Sequence, residues 1–138
     1  MGSLNANTTY YFRIKAVNTG GESAFITSNQ LTLPAAPDGF AVQGTPTVSA
    51  ITLAWTALGS AVTEYELRYS TNPDPSGGTI VPLANNGSPY TLTGRAPNTR
   101  YYFQLRARNA TGLSAPTATI DALTLPAQPQ DFAIQPGS

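Results

Sequence analysis

Three stretches of the chain alternate apolar and polar residues with a period of two. Ile51, Leu53 and Trp55 fall on one side of their run and Thr52, Ala54 and Thr56 on the other. Tyr65, Leu67 and Tyr69 oppose Glu64, Glu66 and Arg68, and Tyr101, Phe103, Leu105 and Ala107 oppose Tyr102, Gln104, Arg106 and Arg108. A half-buried strand has this period, one face on a core and one in water, whereas a helix repeats every 3.6 residues. Turn-forming clusters divide the runs: Gly44-Thr45-Pro46, Asn72 to Gly78, Asn85-Asn86-Gly87 and Asn109-Ala110-Thr111-Gly112. About seven short strands in about ninety residues, with no helical segment, predict an all-β, two-sheet antiparallel sandwich. Its predicted core is Phe40, Val42, Trp55, Tyr65, Leu67, Tyr69, Tyr90, Leu92, Tyr101, Phe103, Leu105 and Ile120.

The chain also repeats itself. Asn7 to Asn18 aligns with Asn98 to Asn109 at an offset of 91, placing Tyr10-Tyr11-Phe12 on Tyr101-Tyr102-Phe103. Thr32-Leu33-Pro34 and Phe40 to Gln43 return as Thr124-Leu125-Pro126 and Phe132 to Gln135 at an offset of 92, so one residue is inserted between the two blocks. The alignment divides the chain into residues 1–36, the last strands of one repeat; 37–125, a complete repeat; and 126–138, a linker and the first strand of a third. That is about one and a half repeats. The joints, Leu33-Pro34-Ala35-Ala36-Pro37 and Leu125-Pro126-Ala127-Gln128-Pro129, are short and proline-bounded, which favours a semi-rigid line of modules.

These residues resemble the fibronectin type III family. Trp55 after Ile51-Thr52-Leu53-Ala54 is similar to its core tryptophan on the second strand, and Tyr65 to Tyr69 to its third strand. Tyr90 to Tyr101 is similar to its fifth strand and tyrosine corner, with Tyr101 in the corner position, and Asn109 to Ser114 to the turn before its last strand. The resemblance implies an immunoglobulin-like seven-stranded antiparallel β-sandwich and a role as spacer, scaffold or adhesion module. One departure is Arg95, where the family has a leucine that plugs the core and where the first copy keeps Leu4. The corner is therefore expected to be looser, the Arg95 stem on apolar surface and its head in water. The family's Arg-Gly-Asp attachment tripeptide is absent.

Composition narrows the chemistry. Among 138 residues there is no Cys and no His, which removes disulfides, thiolate nucleophiles and imidazole bases or ligands, and the expectation is no catalysis and no cofactor. Seven basic against seven acidic residues leave no net charge to gather nucleic acid, and no apolar stretch approaches the roughly 20 residues of a membrane span. Met1-Gly2-Ser3 has neither a basic run nor an apolar core and reads as a remnant of expression rather than a signal peptide. The expected setting is outside the cell or on its surface.

Candidate sites are few. Glu64 and Glu66 stand two apart on one strand, a spacing that invites comparison with paired catalytic carboxylates, but the strand bearing Arg106 and Arg108 makes cross-strand ion pairs on a solvent face the better reading. Asp74 alone supplies too few oxygens for a hard cation. Tyr11 and Tyr102, on outward faces of the repeated strand, are candidates for surface contact, with a partner protein or a glycan. Asn7-Thr8-Thr9, Asn86-Gly87-Ser88 and Asn109-Ala110-Thr111 match the glycosylation acceptor pattern, which a chain this rich in Asn and Thr meets by chance.

The half repeat is the oddity. Its inward face, Tyr10, Phe12, Ile14 and Ala16, lacks the sheet that would cover it, leaving about 5 to 9 kcal/mol of burial unrealised for three large side chains. Strand exchange with a second copy through Tyr10, Phe12, Ile14, Phe132 and Ile134 is therefore an expectation, alongside contact with neighbouring repeats. The alternative role is an accessory, glycan-binding module of a secreted polysaccharide-degrading enzyme.

Overall fold

The structure, a computed structural model, describes residues 2–137; Met1, part of the leader reading, and Ser138 lie outside the described residues. The chain opens with a hairpin. Strands β1 (Thr9–Ile14) and β4 (Ile26–Leu31) pair antiparallel from Thr9↔Leu31 to Ile14↔Ile26, and the short β2 (Val17–Asn18) and β3 (Gly21–Glu22) close its tip. Then come β5 (Ala41–Val42), β6 (Ile51–Ala54), β7 (Glu64–Ser70), a 3-10 turn (Pro75–Gly77), β8 (Thr79–Ala84), β9 (Tyr90–Leu92), β10 (Arg100–Arg108) and β11 (Ile120–Leu123). They form a three-stranded sheet, β5-β6-β9, and a four-stranded sheet, β11-β10-β7-β8, with every pairing antiparallel.

The period-two pattern seals the space between these sheets. Ile51, Leu53 and Trp55 from one side meet Tyr65, Leu67, Tyr101, Phe103, Leu105 and Ala107 from the other, all buried. The Trp55 and Tyr65 rings meet edge to face at 5.3 Å between centroids, a favoured aromatic geometry. Phe40, Val42, Tyr69, Tyr90 and Ile120 pack against this core but are only partly buried. Val62 and Leu83, outside the predicted set, are buried with it.

Three local expectations need correction. The β6 ladder stops at Ala54: the Trp55 N–H donates to Ser88 Oγ at 3.0 Å, and that hydroxyl donates to Trp55 O at 2.9 Å, so one side chain replaces a ladder pair. Glu66 is not on open surface. β7 lies between β10 and β8, and Glu66 is buried there, its carboxylate 2.9 Å from Arg68 Nη2 and 3.8 Å from Arg108 Nη2. Arg108 Nε also donates to Glu64 at 2.7 Å, while Arg106, directly across from Glu66, takes no ion pair among the described residues. Nor does the Arg95 head sit in open water: its guanidinium lies 4.7 Å from the Tyr69 ring centroid and 5.6 Å from that of Tyr101, because an aromatic face attracts a cation.

The hairpin is a second copy of the β10–β11 unit down to its hydrogen bonds. The Tyr101 hydroxyl accepts from the Ala96 N–H at 3.0 Å, and the Tyr10 hydroxyl from the Asn5 N–H at 2.8 Å, five residues upstream in both cases. Asn98 and Asn7 both take positive φ, 48° and 52°, which Asn tolerates better than most residues, and their N–H groups donate to Leu125 O and Leu33 O. Ser114 and Ser23 each hold the turn by accepting from Ala107 N and Ala16 N. The inserted residue falls between Thr117, bonded to Leu105, and Ile120, opposite Phe103: three residues advance there against two, a β-bulge.

The two copies differ in cover. Tyr101 and Phe103 are buried, but Phe12 is about half exposed and Ile14 70% exposed, since no second sheet lies over the hairpin. Phe132 and Ile134 are 89% and 85% exposed, and residues 126–137 contain no strand. Asp131 nevertheless has φ 56°, close to the 65° of its counterpart Gly39.

Candidate functional site at the joint between hairpin and sandwich

Asn109 follows directly on β10 and begins the turn to Gly112. Its Oδ1 accepts from the N–H groups of Thr111 (2.9 Å) and Gly112 (3.2 Å), the self-capping that makes Asn a turn former. The same orientation points its amide nitrogen at the hairpin, where it donates to Thr32 O at 2.8 Å and Asn7 Oδ1 at 3.0 Å. Two donors and two acceptor positions are then all used, and the residue is 3% exposed.

Around it the contact is completed by short-range fits. Asn7 Nδ2 donates to Leu58 O at 3.3 Å, and the Thr111 hydroxyl donates to Leu31 O at 2.6 Å. The Leu33 side chain lies so close to Gly112 that a Cβ there would approach it to 3.2 Å. Pro34 and Pro37, at the ends of the connecting segment, are both buried. The corner end of the hairpin is thereby seated on the end of the sandwich that carries the Leu58 loop and the Asn109 turn. The site consists of amide, hydroxyl and carbonyl hydrogen bonds with one apolar contact, Leu33 on Gly112.

Sequence reasoning saw Asn7 as a repeat position and glycosylation match, and Asn109 as these and as the start of a turn, but not as partners across a joint. The amide nitrogens a glycan would need are both engaged in the joint, whereas Asn86 is exposed. The readable signal was the recurrence of Asn at 7 and 98 and at 18 and 109; the Asn18 Oδ1 accepts from Gly20 N at 2.8 Å as Asn109 accepts from Thr111.

The other candidates are scattered. Tyr11 is 80% exposed, Tyr102 is half-buried beside Ser70 and Asp121, and neither joins a ring pair among the described residues. Phe12 and Ile14 share the open face of the hairpin with Ile26, and Tyr10 is partly covered at its corner. Arg13 and Lys15 cover the Phe25 ring on the opposite face, at 4.5 and 5.2 Å from its centroid. Asp74 caps the 3-10 turn by accepting from Ser76 N at 3.0 Å. That amide holds its carboxyl below the ordinary 3.8. Among the described residues no three potential ligands cluster for a metal, and no helix is long and apolar enough to cross a membrane.

Comparison with known proteins adds the family. The profile of the fibronectin type III domain matches residues 35–122. Chicken (Gallus gallus) ephrin type-A receptor 5 is 32% identical over 122 residues, covering 81% of this chain and 12% of the receptor. Chitinase A1 of Niallia circulans is 32% identical over 124 residues, covering 81% of this chain and 17% of the chitinase. The chain thus spans well under a fifth of either relative. The solution structure of the fn3 domain of human contactin 1 superposes with a TM-score of 0.66 at 25% identity, over 86% of this chain and 99% of that one. A three-on-four sandwich, a tyrosine corner whose hydroxyl is bonded five residues upstream and a profile match over more than half the length together make this chain a member of the fibronectin type III family.

Proposed function

We propose that the chain is a non-catalytic section of an extracellular or cell-surface tandem array, in which residues 1–36 finish one module, 37–125 form a complete one and 126–138 begin the next, and that its task is to hold neighbouring modules at a fixed angle. The observation that carries this reading is the Asn109 amide, saturated and buried between hairpin and sandwich. Interdomain contacts are loose by default, so a buried, fully bonded polar contact is selected for geometry. A sheet from elsewhere in the array, or a second copy by strand exchange, covers Phe12, Ile14 and Ile26.

Asn109→Asp tests the spacer role. It keeps the acceptor for the turn but sets a carboxylate against Thr32 O and Asn7 Oδ1, costing about 1 to 3 kcal/mol at the joint. Small-angle scattering should give one compact set of dimensions for the native chain and a broader distribution for the variant. Equal profiles would refute the reading.

Tyr11 favours a second role. An 80% exposed ring, in a chain with a chitinase among its relatives, supports glycan contact by Tyr11 and Tyr102. Retention on chitin, lost in Tyr11→Ala or Tyr102→Ala, is the expected result; a chain that passes chitin unretained has no such site.

A further inference from the structure

Arg95 lines a recess of about 450 Å³ together with Tyr69, Thr71, Gly78, Thr79 and Tyr101. Every lining residue lies between Tyr69 and Tyr101, so the complete module forms the recess alone. The cation is held in place there. The Arg95 N–H donates to Ser49 O at 2.9 Å and its Nε to Thr93 O at 3.1 Å, while the guanidinium lies over the Tyr69 and Tyr101 rings. Tyr101 is itself fixed by the Ala96 N–H on its hydroxyl. Unlike Arg68, Arg100 and Arg108, Arg95 takes no ion pair among the described residues, and both its Nη nitrogens lack an acceptor there. The hydroxyls of Tyr69, Thr71 and Thr79, which line the same recess, are likewise without a hydrogen-bond partner among the described residues. A leucine, which the first copy has as Leu4, would cover the two rings as well. The guanidinium adds a pair of parallel donors and finds nothing inside the module to use them.

From this we infer that the recess binds a uronic-acid unit of an acidic polysaccharide, its carboxylate on the Arg95 Nη groups and its ring hydroxyls on Tyr69, Thr71 and Thr79. The planar fork of a guanidinium matches a carboxylate in two parallel hydrogen bonds. A bare carboxylate would leave most of the recess empty, whereas a pyranose ring occupies it and meets the hydroxyls around the cation. The guanidinium already covers the Tyr69 and Tyr101 rings, so recognition runs through hydrogen bonds and charge rather than through stacking. The site goes beyond the spacer reading and does not depend on Tyr11 or Tyr102, whose test uses chitin, a neutral glycan.

Amide NMR of the full chain, titrated with trigalacturonate, tests the inference. Saturable shifts should gather at the amides of Thr71, Gly78, Thr79 and Arg95, with none from galactotriose, the neutral counterpart. Arg95→Leu, which installs the residue of the first copy, should weaken binding about tenfold or more. Arg95→Lys should weaken it by less, because the charge stays and the fork is lost. Tyr69→Phe keeps the ring under the cation and removes one hydroxyl, so it should weaken binding about two- to tenfold. Amide shifts away from the recess that match the native chain establish that each variant is folded, and Tyr69→Phe carries the test by itself where an Arg95 variant is not. Shifts absent from the recess, equal shifts from galactotriose, or undiminished binding by folded Arg95→Leu or by Tyr69→Phe would overturn the inference. Equal affinity for a triglutamate peptide would overturn it too, by showing that the site reads a carboxylate and no sugar.

Discussion

Arg95 stands where the first copy has Leu4, and its cation covers two rings that a leucine would cover with methyl groups. Arg95→Ala should cost about 0.5 to 1 kcal/mol, the value of a partly exposed cation–π contact. Arg95→Leu should cost less, because an apolar plug replaces the cation; denaturant midpoints decide the order, and a leucine variant weaker than alanine would contradict it. Tyr101→Phe isolates the corner hydrogen bond and should cost about 1 kcal/mol. For Asp74, the folded carboxyl titrates below its unfolded value. Its capping contribution is therefore present above the unfolded value and lost as pH falls through the folded one, and an NMR titration should place Asp74 below an unstructured reference. The corner tyrosine was legible because its position is fixed by the repeat. The Arg95 stacking was not, since it depends on Tyr69 arriving from another strand.

Strands β6, β7 and β10 were legible as elements because each buries one face, which writes the period of two into the sequence. The edge strand β8 was not. Its buried Leu83 is flanked by exposed Pro82 and Ala84, so no alternating run marks it. Its geometry instead depends on Gly78, where a Cβ would stand 2.2 Å from Tyr69 O. Gly78→Ala must shift the backbone at the first pair of the β7–β8 ladder and should destabilise by about 1 to 3 kcal/mol, read as an early loss of β8 amide protection in hydrogen exchange. Protection equal to that of the native chain would show that the turn gives way cheaply.

At the scale of the molecule, the sequence revealed a repeat boundary but not the joint across it. The contact depends on side chains 102 residues apart, and an asparagine reads the same whether it caps its own turn or also bridges to a neighbour. The central claim is that hairpin and sandwich form one body. Residual dipolar couplings, measured for amides of β1 and β4 and for those of the sandwich in the full chain, test it most directly. The account predicts that a single alignment tensor fits both sets. A separate, weaker tensor for the hairpin in the native chain would contradict it.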